Sequence, residues 1–289
     1  MKQIIGKKLN NVEFVARDNK VYGKLQNNGV AVEYEIKPVE FVTPCEAILM
    51  DLDGTTLTSE EFWMFIIEQT VKTLMNKPTF ALENADIPFV SGFTTADHLT
   101  YCINKYCTDK SLNDAIQLYH GITEKELDKI MRGEGHVSAF TPTEGLKDFL
   151  LEVKARKIKI GLATSGLDYK AIPEIVAVFQ KLNMGNPLDY YDAIITGGKR
   201  KDVRQYGTLG EIVSKPHPWI YTELAHMGLH VQNPQNVIGI EDSAAGVMSL
   251  RFAGFPAIGL NSGNIGDSGL DTLCHAKVDT LQQILKIIK

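Results

Sequence analysis

Residues 47–54 read AILMDLDG, an apolar run that ends in two aspartates and a glycine. Such a run is typical of a strand buried on both faces of a parallel sheet. Residues two apart in an extended chain point to the same side, so Asp51 and Asp53 present their carboxylates together while Leu52 turns into the core. Gly54 then permits a sharp turn. The stretch predicts a buried strand with a polar site at its carboxyl end.

Four later stretches repeat this pattern of an apolar run followed by small or polar residues. They are KIKIGLATSG at 157–166, YDAIITGG at 191–198, NVIGIEDSAAG at 236–246 and PAIGLNSG at 256–263. Segments compatible with helices lie between them, and this alternation predicts an α/β fold with a doubly wound parallel sheet. Ligands bind such sheets beyond the carboxyl ends of the strands, where the notable polar residues of this chain fall.

The chain before the first core strand has a different pattern. Residues 1–46 hold three short β-branched stretches separated by turn signals, which predicts an N-terminal β-meander. Three short strands rarely fold alone, so we expect the meander to pack on a larger body. It could cover a sheet edge, form a homodimer contact or shape the substrate entrance, and we favour the first two.

A helical segment interrupts the core. Residues 59–139 show amphipathic patterns at 60–75 and 94–107 and no strand signal, which predicts an inserted helical domain. Thr123 with Glu126 matches a capping box and predicts a helix start. The core is then formed by two segments, residues 47–58 and residues 140–289.

Composition excludes several classes of protein. The 289 residues are 44% hydrophobic and 22% charged, which is typical of a globular protein and not of a disordered one. The formal net charge of −5 offers no general attraction to nucleic acid or membrane phosphates, so we expect neither as a partner. We expect no signal peptide, because no apolar run of about 7–15 residues follows the charged start of the chain. We expect no membrane span, because no apolar run approaches about 18 residues. We also expect reduced thiols and a cytoplasmic location, because the cysteines are scattered without a C-x-x-C pair. They are Cys45, Cys102, Cys107 and Cys274.

Taken alone, Asp51 and Asp53 leave several interpretations open. Aspartate-rich turns without function are common, yet two adjacent carboxylates can also bind a hard cation or divide nucleophilic and acid–base roles. A calcium loop is disfavoured because its D-x-D-x-D-G pattern follows a helix, whereas here a strand precedes and Gly54 follows the second aspartate.

Three later segments carry polar residues at comparable places. Thr164-Ser165-Gly166 follows the second strand and offers a hydroxyl and backbone N–H groups that suit a phosphate. Lys215 lies in the loop SKPHPW, where a lone lysine is usually solvated. Glu241-Asp242 ends another strand and is followed by small residues that allow close helix packing.

In this order, the stretches DLDGTT (51–56), LATSG (162–166), SKPHP (214–218) and GIEDSAAG (239–246) resemble the four motifs of the haloacid dehalogenase-like superfamily. EDSAAGV followed by RFAGFPAIG is similar to the subgroup that contains β-phosphoglucomutases and phosphoglycolate phosphatases, and residues 59–139 correspond to its helical cap. The resemblance implies a Rossmann-like core and Mg²⁺-dependent phosphoryl transfer on a small phosphorylated metabolite.

The resemblance also implies roles for the catalytic residues. Asp51 would be the nucleophile that forms an aspartyl-phosphate, and Asp53 would protonate the leaving oxygen and later deprotonate water. Thr164 would hydrogen-bond the transferring phosphoryl group, and Lys215 would offset its negative charge.

The family pattern implies a magnesium site next to these residues. Mg²⁺ would be held by the Asp51 carboxylate, the Asp53 backbone carbonyl and Asp242, and Glu241 would orient a metal-bound water or support the ligands. The candidates for substrate binding are Gly54, Ser165 and Gly166 in the core and Thr95 and His98 in the cap.

The sequence departs from the family at several positions. Thr58-Ser59 replaces the usual Asp-Ser at the hinge into the cap, and Thr95 stands where the mutase carries an arginine for its distal phosphate. Lys105 or Lys110 could substitute for that arginine. We therefore expect a phosphatase acting on a sugar phosphate, with a β-phosphoglucomutase-like isomerase and a non-catalytic phosphometabolite-binding protein as alternatives.

A basic insert has no counterpart in the family. It spans residues 198–213 and could receive an acidic substrate, although a solvated loop is the favoured interpretation. Its cations are Lys199, Arg200, Lys201 and Arg204.

Overall fold

A computed structural model of the protein describes residues 4–9, 11–27, 30–90, 95–198 and 214–289. The chain divides into two compact units. The core unit comprises Met1–Leu57, Pro142–Ala171 and Met184–Lys289, and the helical unit comprises Thr58–Thr141 and Ile172–Asn183. The division into an extension, a core and a cap at the boundaries given above stays a prediction.

The strands and helices are as follows. The strands are β1 (Lys8–Leu9), β2 (Val12–Arg17), β3 (Lys20–Asn27), β4 (Val30–Glu35), β5 (Ala47–Asp51), β6 (Leu57–Thr58), β7 (Thr141–Pro142), β8 (Lys159–Ala163), β9 (Ala193–Ile195), β10 (Val237–Glu241), β11 (Ala257–Leu260) and β12 (Ala276–Val278). The helices are α1 (Glu60–Leu74), α2 (Ile87–Val90), α3 (Thr95–Tyr106), α4 (Leu112–Met131), α5 (Leu146–Ala155), α6 (Asp168–Lys181), α7 (Trp219–Glu223), α8 (Ala244–Ala253), α9 (Ile265–Ser268) and α10 (Leu281–Ile287).

A six-stranded parallel sheet organises the core unit, with the order β12-β11-β10-β5-β8-β9. Every residue of β5 and of β10 is buried, as expected for strands covered on both faces. From β5 the chain first builds β8 and β9 on one side and then β10, β11 and β12 on the other. The predicted α/β fold is confirmed, and the direction of winding reverses between β5 and β10, which is where such sheets bind ligands.

The sheet has one strand more than the sequence analysis predicts. The missed strand, β12, has only three residues, two of them half-buried, and is too short to show a hydrophobic period. It pairs with β11 at the edge of the sheet.

The N-terminal strands form a separate antiparallel sheet, β1-β2-β3-β4. The predicted meander is present, with the two-residue strand β1 added to it. The sheet pairs with neither edge strand of the described core sheet; its inner face joins the hydrophobic core that includes α8. The N-terminal sheet therefore does not extend the core sheet by strand pairing, because its apolar face packs on a helix. The expectation that it covers a sheet edge stays a prediction.

A glycine permits this packing. A Cβ at Gly23 on β3 would lie 2.2 Å from Cζ of Phe252 on α8, so only glycine lets the sheet approach the helix this closely.

The helical unit contains α1, α3 and α4, which pack on one another. The first two match the predicted amphipathic segments. The predicted capping box is wrong: α4 begins after Ser111, whose Oγ accepts a hydrogen bond from the Asp114 N–H at 3.1 Å, and Thr123 is buried in mid-helix. The helix continues through Gly121 because it buries apolar residues before and after it, which outweighs the roughly 1 kcal/mol penalty of an internal glycine.

Some predictions fall outside the described residues, namely residues 91–94 and residues 199–213 with the basic side chains of the insert. The four cysteines all lie in described ranges and are free thiols, as predicted. None of the described helices has the length and apolar character that crossing a membrane requires.

Candidate active site

Three adjacent strands bring the predicted core residues together. Asp51 is the last residue of β5, Glu241 is the last residue of β10, and Thr164 directly follows β8. These strands are parallel neighbours, so their carboxyl ends meet at one edge of the sheet.

Lys215 lies at the centre of the cluster. Its Nζ donates hydrogen bonds to Asp51 Oδ1 and, at 2.7 Å, to Glu241 Oε1, and it lies 3.4 Å from the carbonyl oxygen of Ala163. The lysine side chain is only 8% exposed, so this loop lysine is not solvated. Burial disfavours the ammonium ion, but Asp51 and Glu241 outweigh that effect and raise the pKa of Lys215.

Two contacts hold the segment around Lys215. Its backbone N–H donates to Ser165 Oγ at 3.1 Å, and its ammonium lies 4.8 Å from the centre of the Tyr221 ring, in cation–π geometry. The Tyr221 hydroxyl donates to Glu241 Oε1 at 2.5 Å. Sequence reasoning missed Tyr221, because a tyrosine on an apolar helix is indistinguishable from a core residue until its partner is known.

Glu241 is fully buried and both of its oxygens are occupied. Oε1 accepts from Lys215 and Tyr221, and Oε2 accepts from the N–H and hydroxyl of Ser243 at 3.3 and 3.0 Å. A Cβ at Gly246 would lie 1.8 Å from its carboxyl carbon, so the glycine in the first turn of α8 makes room for it. This environment fits an anchor for Lys215 better than a direct metal ligand.

Asp53 and Thr164 form a second pair. The Thr164 hydroxyl donates to Asp53 Oδ2 at 3.3 Å and accepts from the Gly166 N–H at 2.9 Å. Loss of hydration raises the pKa of Asp53, although Lys215 and Thr164 oppose the shift. Part of the residue remains accessible to solvent. An accessible carboxyl group with a raised pKa can exchange protons with a substrate and with water.

Three carboxylates are close enough to hold a cation. Ligand oxygens of Asp51, Glu241 and Asp242 lie within 4.8 Å of one another. Burial and then the charge of Glu241 raise the pKa of Asp51 well above its ordinary value and that of Asp242 to about 7. A hard divalent ion bound by the oxygens of Asp51 and Asp242 would relieve this repulsion, so these two carboxylates fit Mg²⁺. The Asp53 carboxylate is not part of this group, and the prediction for that residue concerns its backbone carbonyl.

Gly54 is needed at this site for two reasons. Its φ of +80° lies in the left-handed region, and a Cβ would lie 2.2 Å from Asp242 Oδ2. Glycine therefore lets the turn after β5 pass close to Asp242.

Thr95 and His98 belong to α3 of the helical unit. Thr95 is half-buried at the start of the helix, and His98 is buried, which lowers its pKa. Their predicted contact with substrate stays a prediction. The proposed substitutes for the mutase arginine already have acidic partners: Lys105 lies 2.7 Å from the buried Asp86, and Lys110 lies 3.0 Å from Asp109.

Comparison with known proteins matches residues 45–254 to the family model of haloacid dehalogenase-like hydrolases. A candidate β-phosphoglucomutase from Thermotoga maritima is 22% identical, with a TM-score of 0.60, over 84% of this chain and 98% of that protein. A predicted phosphoglycolate phosphatase from Haemophilus somnus is 18% identical, with a TM-score of 0.58, over 86% and 100%.

CbbY from Rhodobacter sphaeroides, solved in complex with phosphate, is 19% identical, with a TM-score of 0.54, over 83% of this chain and 96% of CbbY. At these identities the three solved structures share a fold with this chain.

Proposed function

The chain belongs to the haloacid dehalogenase-like hydrolases, and we propose that it is a Mg²⁺-dependent phosphatase of a small phosphorylated metabolite, with sugar phosphates as the expected class. The family membership confirms the hydrolase expected from the sequence. The observation that carries the proposal is the buried Lys215 ammonium. It is held between Asp51 and Glu241, at the ends of the two strands between which the direction of winding of the sheet reverses.

In the first half of the reaction, a carboxylate oxygen of Asp51 attacks phosphorus. The Asp51 O–P bond forms as the bond to the leaving oxygen breaks, and Asp53 gives its proton to that oxygen. In the second half, Asp53 takes a proton from water, which attacks the same phosphorus and releases inorganic phosphate and free Asp51. The raised pKa of Asp53 supports this role, because the first half needs the protonated acid.

The neighbouring residues make the attack electrostatically feasible. An anionic carboxylate and an anionic phosphate repel each other, and the Lys215 ammonium offsets that repulsion. Glu241 and Tyr221 fix the ammonium in place. Thr164, with Ser165 and Gly166 beside it and Gly54 across the turn, would bind the phosphoryl oxygens.

Asp51, Asp242 and the Asp53 carbonyl would hold Mg²⁺, with Glu241 supporting them through Lys215. The bound ion would supply further positive charge to the phosphoryl group. Asp242, with its pKa raised to about 7, is poised to lose its proton when the cation binds.

Two considerations support the proposed substrate class and the choice of a phosphatase over a mutase. CbbY is a structural neighbour solved with phosphate and, in a second structure, with xylulose-1,5-bisphosphate, a sugar phosphate. A mutase needs a cation for a second phosphate, and Lys105 and Lys110 are each paired with an acid in the helical unit. A phosphatase is thus favoured over the mutase. It is also favoured over a binding protein, which would have no use for an acid such as Asp53. The cytoplasmic location and the homodimer remain predictions.

The proposal is tested by measuring phosphate release from a panel of sugar phosphates and other phosphomonoesters, with Mg²⁺ or with a chelator. We expect metal-dependent turnover in the natural protein, at least about 10³-fold less in Asp51→Asn, and unchanged turnover in Asp189→Asn, a matched change at an exposed aspartate. Absence of release from every compound would overturn the phosphatase. Isomerisation of a sugar phosphate on addition of a sugar bisphosphate would establish the mutase instead.

A further inference from the structure

The N-terminal sheet contacts the loop that carries Lys215. The Tyr34 hydroxyl on β4 lies 2.7 Å from Nε2 of His217, two residues after Lys215 in sequence, and the two rings meet edge to face with centroids 5.5 Å apart. The residues are 183 positions apart in the chain. The contact therefore joins the extension that precedes the core to one of the four family motifs.

The hydrogen bonds of His217 define its tautomer. The backbone N–H of Trp219 donates to Nδ1 at 3.2 Å, so Nδ1 carries no proton. The ring proton is then on Nε2, which donates to the Tyr34 oxygen. Burial lowers the pKa of His217, which agrees with a neutral ring. A neutral histidine in this tautomer links the loop to the sheet through one side chain.

The same part of the sheet also fixes the helix behind the loop. The Tyr34 ring stacks on Phe252 of α8 with centroids 5.5 Å apart, and Gly23 opposite Tyr34 makes room for the Phe252 ring. From the middle of α8, the Ser249 hydroxyl donates to the His217 carbonyl at 2.7 Å. His217 is thus held through its ring by β4 and through its backbone by α8.

These contacts lie close in sequence to Lys215 and Asp242. The His217 backbone is two residues from Lys215, and α8 begins immediately after Asp242 and Ser243. A displacement of about 1 Å in a positioning group can lower a rate by about 100-fold. Small shifts of this loop would therefore change how the ammonium offsets charge at Asp51.

We propose that the N-terminal sheet is a positioning element of the active site, in which Tyr34 holds Lys215 in place through the ring of His217. This inference rests on the proposed function where it predicts a change in turnover. The predicted change in the protection of Lys215 can be measured without turnover. Tyr34 and His217 are positioning residues and touch no reacting atom.

Three substitutions separate the two bonds of the His217 ring. Tyr34→Phe removes the hydroxyl and keeps the stacked ring. His217→Asn keeps an acceptor near the Nδ1 position for Trp219 and loses the donor to Tyr34. His217→Gln keeps a donor near the Nε2 position and loses the acceptor. The matched control is Tyr22→Phe, because Tyr22 on β3 points to the opposite face of the sheet, where its ring stacks under Arg17.

The first readout is the turnover of the best phosphomonoester. We expect Tyr34→Phe and His217→Asn each to lower kcat about three- to ten-fold with KM changed less than about two-fold, because the Lys215 ammonium acts mainly on the transition state. The double variant should lose no more than either single one, since both remove the same bond. His217→Gln and Tyr22→Phe should stay within about two-fold of the natural protein. An unchanged kcat in Tyr34→Phe, or multiplied losses in the double variant, would overturn the proposal.

The second readout is independent of activity. Limited acetylation, followed by mass spectrometry of the peptide that contains Lys215, reports how well the buried ammonium is protected. We expect acetylation at least about three-fold faster in Tyr34→Phe and His217→Asn than in the natural protein and Tyr22→Phe, with equal melting temperatures. If this pattern appears without any phosphate release, the proposed function fails and the positioning role holds. If Lys215 is protected equally in all variants, the positioning role fails.

Discussion

Each unit of the protein contains a buried carboxylate paired with a lysine, and the two clusters behave oppositely. In the helical unit, Asp86 is completely buried and its oxygens accept four hydrogen bonds. The donors are Lys105 Nζ at 2.7 Å, Tyr101 at 2.7 Å, Tyr106 at 2.6 Å and the Glu83 N–H at 2.8 Å. Burial opposes the charge, but the bonds from Lys105 and the two tyrosines outweigh it and lower the pKa of Asp86.

At the carboxyl ends of the strands the balance is reversed. One ammonium, Lys215, bonds to two carboxylates, Asp51 and Glu241, and the pKa values of Asp51 and of the neighbouring Asp242 are raised. A buried ion pair by itself therefore indicates nothing about function. The excess of like charge distinguishes the candidate active site, because a closed structural cluster would have no reason to retain it.

The largest effect that tests this comparison comes from the same substitution at both lysines. We expect Lys215→Met to lower kcat by at least about 10³-fold, because the nucleophile then faces the phosphate without its cation. Lys105→Met should leave kcat within about two-fold and lower the free energy of unfolding by about 2–4 kcal/mol, because Asp86 loses its charged partner. Phosphate release and urea unfolding measure the two quantities. A catalytic loss in a stably folded Lys105→Met protein would show that the clusters do not divide as described.

The aspartates should differ in the sign of their effect on stability. Asp86 has a lowered pKa, so its ionised form stabilises the fold above its unfolded pKa; Asp86→Asn should cost about 2–4 kcal/mol at pH 8. Asp242 has a folded pKa of about 7, above its unfolded value, so its ionised form opposes folding at pH 8 when no metal is bound. Asp242→Asn should then raise the free energy of unfolding by about 1–3 kcal/mol in the presence of a chelator. Urea titrations at pH 8 measure both, and equal signs would contradict the comparison.

The raised pKa of Asp242 also predicts a pH dependence for metal binding. Below about pH 7 the Asp242 carboxyl is protonated in the metal-free protein, so Mg²⁺ must displace that proton and its affinity should fall up to about ten-fold per pH unit. Above that pH the affinity should level off. The Mg²⁺-induced rise in melting temperature, followed from pH 5.5 to pH 8.5, provides the measurement. A flat profile would argue that Asp242 is not a ligand.

The smallest effect concerns one glycine in each unit. Gly121 lies inside α4, and an added Cβ there would have no neighbouring atom within 4 Å, so Gly121→Ala should stabilise the protein by about 0.5–1 kcal/mol. Gly54→Ala meets both a positive φ and the Asp242 carboxylate, so it should destabilise the protein by at least about 1 kcal/mol. Thermal unfolding of the two variants decides this, and a stabilising Gly54→Ala would contradict the close approach to Asp242.

Residues that are close in sequence were the easiest to predict. The strands β5, β8 and β10 are uninterrupted apolar runs that stop at polar residues, so their place and the polar edge they create could be derived without a structure. The predicted helix start at Thr123 is wrong, because the local sequence there matches a capping box although an amphipathic helix continues through it.

Contacts between distant segments could not be predicted. Tyr221 reaches Glu241, and Tyr34 reaches His217, through side chains that a single sequence cannot distinguish from ordinary core or turn residues. The excess charge at the site was also hidden, because the resemblance assigns Lys215 to the site but does not show how closely Asp51, Glu241 and Asp242 surround it.

The central position of β5 has a consequence for how the protein is made. Its two neighbours in the sheet, β8 and β10, are encoded well downstream, and about 190 residues separate Asp51 from Asp242, which at about 5–20 residues per second takes on the order of 10–40 s to synthesise. The nascent chain therefore carries this fully buried strand without a partner on either side until β8 has been synthesised. The N-terminal sheet lacks its packing partner for longer still, because α8 is synthesised after Asp242. Catalytic competence can thus arise only after the segment that contains Glu241, Asp242 and α8 has been synthesised.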